Sequence, residues 1–135
     1  MLLGVNDTRY QIAAVVPGRT GEVDLSWYDQ SVVDDLSPDG RLMLFHESGD
    51  AFEERFEIFV RGTDGSPPVD LGPGYPFALS PDGKWALASP SRELAQLALI
   101  QTGAGNARPL PVGSLAGIAQ AFFFADGARI LIRAR

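Results

Sequence analysis

A four-residue signature recurs along the chain at a fixed interval: Ser37-Pro38-Asp39-Gly40, then Ser80-Pro81-Asp82-Gly83, then a degenerate Phe124-Ala125-Asp126-Gly127. Asp39 to Asp82 is 43 residues and Asp82 to Asp126 is 44. Each signature reads as a turn. Serine accepts hydrogen bonds at the first position, proline presets φ at the second, aspartate tolerates the third, and glycine supplies a left-handed residue that lets a hairpin continue. A fixed period constrains a fold more than any single motif does, because each repeat is one supersecondary unit that buries its faces against its neighbours.

The residues around the turns say which unit it is. After each turn comes an apolar run, "RLMLF" at 41–45, "KWALA" at 84–88 and "RILI" at 129–132. Unbroken runs of this length mark strands covered on both faces. Before each turn lie "SVVDDL", "YPFAL" and "IAQAFF", and upstream of each of those a further strand, "RYQIAAVV", "RFEIFV" or "LAQLALI". Short, polar-edged or proline-bearing segments, "VDLSW", "PVDL" and "ARPL", follow as exposed outermost strands would. Thr63-Asp64-Gly65 fits a second turn between the third and fourth strands of its unit. Four strands in about 40–50 residues is the pattern of a β-propeller blade.

With strands lettered a to d from the channel to the rim, the chain reads c-d, a-b-c-d, a-b-c-d, a-b, taken as ten strands. The expected architecture is all-β: residues 1–30 a half blade, 31–72 and 73–112 whole blades, and 113–135 a complementary half blade. Three blades' worth is too few to close a ring, since propellers usually have about four to eight. The segment is therefore either part of a longer propeller, continued by further blades, or a protomer. A homodimer in which each copy completes the other's half blades would be a six-bladed ring.

Composition narrows the partners. A formal net charge of −6 opposes the basic stripe that a phosphate backbone requires, so nucleic acid is not expected. The chain has no cysteine, which excludes disulfides, thiolate metal sites and cysteine nucleophiles. The opening "MLLGVNDTRY" lacks a basic leader, and no run reaches the roughly 18 apolar residues of a spanning helix, so no membrane insertion is expected.

No segment carries a catalytic, cofactor or metal signature. His46, the sole histidine, reads as a strand-end or loop residue, because zinc needs several such ligands and catalysis an oriented partner. The turn aspartates offer one carboxylate each, a blade apart, where a calcium loop needs several within about a dozen residues. Asp34-Asp35 and the group Glu53, Glu54 and Glu57 read as solvated faces or strand ends. A serine hydrolase elbow is missing, and "TGAGNARP" at 102–109 lacks the Gly-Lys-Ser/Thr ending of a phosphate loop, leaving a turn between outer strands. Trp27-Tyr28, in an outer strand or the connection after it, is the aromatic pair placed to be an exposed interface.

"LSPDGRLMLF", "LSPDGKWALA" and "FADGARILI" resemble the repeats of TolB-like bacterial β-propellers. The wider strings "VPGRTGEVDLSWYDQSVVDDLSPDGRLMLFHESG" and "IFVRGTDGSPPVDLG" resemble the propeller segment attached to some bacterial serine/threonine kinases of the eukaryotic type. The resemblance spans nearly the whole chain and implies a non-catalytic sensing or interaction scaffold for a protein or peptide partner, extracytoplasmic where it is kinase-linked. The kinase motifs themselves are not in the sequence. The alternative is the substrate-gating propeller of a peptidase of the prolyl oligopeptidase kind, and a third reading is a gene remnant that would show no cooperative unfolding.

Overall fold

The computed structural model describes residues 8–18, 20–49, 52, 55–103 and 106–135. Glu53 and Glu54 of the acidic group, and Ala104 and Gly105 of the glycine-rich turn, lie outside the described residues. The strands are β1 (Ala13–Val15), β2 (Glu22–Asp24), β3 (Ser31–Leu36), β4 (Leu42–Glu47), β5 (Glu57–Gly62), β6 (Val69–Pro73), β7 (Tyr75–Leu79), β8 (Trp85–Ser89), β9 (Leu97–Gln101), β10 (Ala107–Leu110), β11 (Gln120–Phe123) and β12 (Ile130–Arg133). The described residues hold twelve strands, not ten; the phase c-d, a-b-c-d, a-b-c-d, a-b itself requires twelve, so the correction is one of counting and leaves the order intact.

Two four-stranded antiparallel sheets, β3-β4-β5-β6 and β7-β8-β9-β10, are flanked by the two-stranded sheets β1-β2 and β11-β12. Each is a blade or half a blade of an all-β propeller segment that does not close into a barrel.

The three signatures make the same turn. In the first, the Ser37 hydroxyl donates to Asp39 at 2.7 Å and accepts from the Leu42 amide at 2.9 Å, while Asp39 accepts from the Arg41 amide at 3.0 Å. In the second, Ser80 donates to Asp82 at 2.6 Å and accepts from Trp85 N–H at 3.0 Å, and Asp82 accepts from Lys84 N–H at 3.0 Å. Phe124 cannot supply the hydroxyl of the third. There Asp126 accepts from the Ala128 and Arg129 amides and pairs with the Arg129 guanidinium at 2.9 Å. The closing glycines sit at φ 72°, 71° and 67°, where a Cβ would be strained. A threonine at the end of each third strand completes the corner: Thr63 and Thr102 donate to the carbonyls of Gly40 and Gly83 at 2.7 and 2.8 Å. Thr63 and Thr102 open the turns read there from the sequence; their bond back to the preceding corner was not part of that reading.

Core packing lies between blades, not within them. In β4, Leu44 points to the second blade, where it meets Leu79, Ala86, Ala88 and Ile100, while Met43 and Phe45 point the other way to Ile12 and Leu25 of the first half blade. In β8 the roles alternate likewise: Ala86 and Ala88 join the first interface, and Leu87 joins Leu97, Leu99, Ile118 and Ala121 in a third. Strand periodicity puts successive side chains on opposite faces, so a run apolar at every position is what a sheet sandwiched between two others requires.

Candidate functional site

The turns of the repeat all lie at one end of the blades, and the β4–β5, β6–β7 and β8–β9 connections lie at the other. Three of the β-strand pairings carry an extra residue, one of them in β6 against β5, between the Ile58 and Phe59 pairs, and the other two in the first strands of the whole blades. In β3 the register against β4 shifts between Val33 and Asp35, and in β7 the register against β8 shifts between Pro76 and Ala78. A bulge turns a strand against its own alternation and re-aims side chains. Its effect on the acidic pair is direct, and it corrects the sequence reading: Asp34 and Asp35 are not a solvated face. The Asp34 carboxylate is mostly buried and meets His46 Nδ1 at 2.8 Å. Asp35 reaches across to the neighbouring blade and accepts from the Leu79 amide at 2.7 Å. Burial pushes the Asp34 carboxyl up, against the His46 hydrogen bond that draws it down.

His46 is at a strand end, the penultimate residue of β4, but it is not open to solvent: it is only 7% exposed and clasped between rings, with Phe56 edge-on at 4.8 Å and Tyr75 stacked at 5.9 Å. Its Nδ1 is occupied by Asp34 of its own blade, and its ring stacks on Tyr75 of the next, leaving little of it to solvent.

Above that pair opens a groove of about 370 Å³ between the two whole blades. Phe56 and Tyr75, edge to face at 5.1 Å, form its aromatic wall. Arg55, Arg92, Pro73, Pro90 and Gly74 also line it. The size falls at the small end of ligand pockets, and apolar walls with a few polar groups match their usual chemistry. Two local features single the groove out. The Ser91 hydroxyl oxygen is buried without a hydrogen-bond partner among the described residues, and Leu94 holds a left-handed φ of 52°. A non-glycine residue in that region costs energy that the surrounding structure must offset, and such outliers collect at binding sites. Beside the groove, Glu57 lies opposite Pro73 in the β5–β6 pairing. Burial, then the neighbouring Asp70 carboxylate, raise the Glu57 carboxyl to about 7.

Trp27-Tyr28 sits elsewhere, in the connection from β2 to β3, after a strand that ends at Asp24. Both rings are about half exposed and meet edge to face at 5.8 Å. Tyr28 leans on Phe52 at 5.2 Å, and Arg61 lies 5.9 Å above Trp27. What fixes this segment is Glu47, overlooked in the sequence because it ends an apolar run and starts a polar one. Fully buried, it accepts from the Ser31 hydroxyl and from Tyr28 N–H, and Ser31 in turn accepts from Trp27 N–H. The pair is thus a rigid exposed feature one blade away from the groove, and the structure does not bring the two together.

The Ser37 to Gly40, Ser80 to Gly83 and Asp126-Gly127 positions remain at the opposite end, and their carboxylates serve the turns. Hydrogen bonds from the partner serine and from backbone amides hold the Asp39 and Asp82 carboxyls below the ordinary range. Among the described residues no three histidine, aspartate or glutamate side chains come together as a metal site. No helix of the described residues is long and apolar enough to cross a membrane. No family model matches the chain, and no curated protein matches it.

Proposed function

We propose that this chain is a non-catalytic interaction or sensing module, a TolB-like propeller segment that takes an extended peptide of a partner protein in the groove between its two whole blades. The observation that carries the reading is the composition of that groove: an aromatic wall of Phe56 and Tyr75, with two prolines and two arginines in the rest of the lining. An apolar or aromatic side chain of the peptide fits against the wall, and a carboxylate of the peptide would join the partners that Arg55 and Arg92 already hold. Aromatic and arginine side chains are the residue types that most often dominate interface energetics.

Selection of random peptides on the immobilised chain tests this. Enriched sequences should combine an acidic residue with an aromatic or aliphatic one, and Arg92→Glu should weaken their binding at least ~10-fold, which is ~1.4 kcal/mol, while the chain stays folded by circular dichroism. Enriched peptides that bind the Arg92→Glu chain as well as the parent would place the interaction elsewhere and overturn the assignment.

A further inference from the structure

The two outer half blades leave edges and faces bare in a complementary way. β1 pairs with β2 and β12 with β11, and among the described residues neither has a partner on its other side. Each outward face has apolar residues on its inner strand, Val15 at 75% exposed and Leu131 at 58% with Phe122 at 49% beside it, and polar ones around them, Glu22 and Asp24 on β2 and Gln120 and Arg133 at the other half blade. Among the described residues, β1 holds the place of a third strand with no second beside it, and β12 the place of a second strand with no third.

The whole blades show which register would join them. Their second and third strands pair Leu44 with Val60 and Leu87 with Leu99, each leucine seven residues beyond the first residue of its turn. Leu131 holds that place after Phe124. On the third strand the reference is Leu97, which pairs with Leu110 of the outer strand. Ile12 stands in the same relation to Leu25, whose amide donates to the Ile12 carbonyl at 2.7 Å. Two residues beyond Leu97 is Leu99, and two beyond Ile12 is Ala14. The same pairing therefore sets Leu131 opposite Ala14, Ile130 opposite Val15 and Ile132 opposite Ala13.

The faces agree with that register. Ile130 and Ile132 already pack on the cluster around Leu87, Leu97 and Leu99, and Val15, brought beside them, would extend it. Ile12 and Ala14 already pack on Met43, Phe45 and Phe59, and Leu131 with its cross-strand partner Phe122 would extend that cluster. A shift by one residue would turn every one of these side chains to the wrong face.

We infer that β12 of one copy and β1 of a second copy pair antiparallel, Leu131 against Ala14, as the inner strands of a shared blade, and that the same exchange at the other ends closes a six-bladed, twofold-symmetric ring. The three blade equivalents among the described residues, taken twice, give six, within the range of about four to eight that closes. The inference rests on the strand pattern and not on the peptide reading.

The chain itself has no cysteine, so engineered pairs report cleanly. Light scattering on the full chain should give twice its 14.5 kDa mass. Under mild oxidant, A14C/L131C should form a covalent dimer on a non-reducing gel, because directly paired residues lie within disulfide reach, while A13C/L131C, with side chains on opposite faces, should form at least ~10-fold less. Hydrogen exchange on the unmodified chain is the check that needs no substitution: alternate amides of Ala13–Val15 and Ile130–Arg133 should be protected at high concentration and lose protection on dilution. A cooperatively folded monomer, open-ended larger assemblies, or a dimer in which A14C/L131C cross-links no better than A13C/L131C would each overturn the shared blade.

Discussion

Gly74 joins the first whole blade to the second, and its replacement by alanine tests how closely the two are seated. Its φ is 150°, a conformation that side chains rarely adopt. A Cβ built there would lie 2.7 Å from the Ser89 carbonyl oxygen, 3.0 Å from Ile58 Cδ1 and 3.4 Å from Pro90 Cα. Ordinary carbon–oxygen contacts begin near ~3.3 Å, so backbone of the second blade would have to move. Strain from φ costs ~1–3 kcal/mol, and relieving an overpacked contact costs a further ~1–3 kcal/mol. With an unfolding entropy of about 2.1 cal/mol/K per residue, each kcal/mol is worth ~3.5 °C here, and Gly74→Ala should lower the melting temperature by ~7–20 °C. Gly72→Ala is the control: φ is 92°, but nothing lies within 4 Å of its Cβ, so only the strain remains. Thermal or urea unfolding followed by circular dichroism measures both. Ile58→Val removes the Cδ1 and should make the loss in the double variant smaller than the sum of the singles by ~0.5 kcal/mol or more. If Gly74→Ala costs no more than Gly72→Ala, the close seating of the blades across this connection is wrong.

Other outcomes follow from the same geometry. Asp35→Ala strips the Leu79 amide of its partner in the neighbouring blade and should cost ~1–3 kcal/mol, with faster hydrogen exchange at Leu79 in particular. The turn aspartates Asp39 and Asp82 have folded pKa values below the ordinary 3.8. Their contribution is therefore present above that pH and lost as pH falls, so Ser37→Ala and Ser80→Ala together should flatten the acid side of a stability profile. Glu57 has the opposite sign. Its carboxyl is raised from 4.5 to about 7, so the protonated form favours the fold, and its contribution is full below pH 4.5 and lost as pH rises through 7. Glu57→Gln should remove that decline, and an unchanged slope between those limits would discount the Glu57–Asp70 pairing.

Local order was readable along the chain to the extent that it was local. The Ser-Pro-Asp-Gly turns are closed by bonds among residues at most five apart, and the unbroken apolar runs "RLMLF" and "KWALA" state that both faces of a strand are covered. The outer strands showed themselves by Pro109 and their polar edges. By contrast, a bulge at Asp34 leaves no mark in the alternation that a reader could distinguish from a polar strand end, so the buried roles of Asp34, Asp35 and His46 were not legible. Glu47 was hidden for a related reason: its partners, Ser31 and Tyr28, are sixteen and nineteen residues away and come to it only through the hairpin and the preceding connection.

The sequence by itself determined the blade, its length and the phase in which the chain enters and leaves it, because turn chemistry and strand periodicity act between near neighbours. Only the tertiary structure decided which loops meet. Phe56, Tyr75 and Arg92 belong to three separate segments, and they form one groove because Leu44 on one sheet and Ala86 and Ala88 on the next pack two blades face to face. That packing sums many weak, non-directional contacts over residues forty positions apart, a quantity that no short stretch of sequence contains.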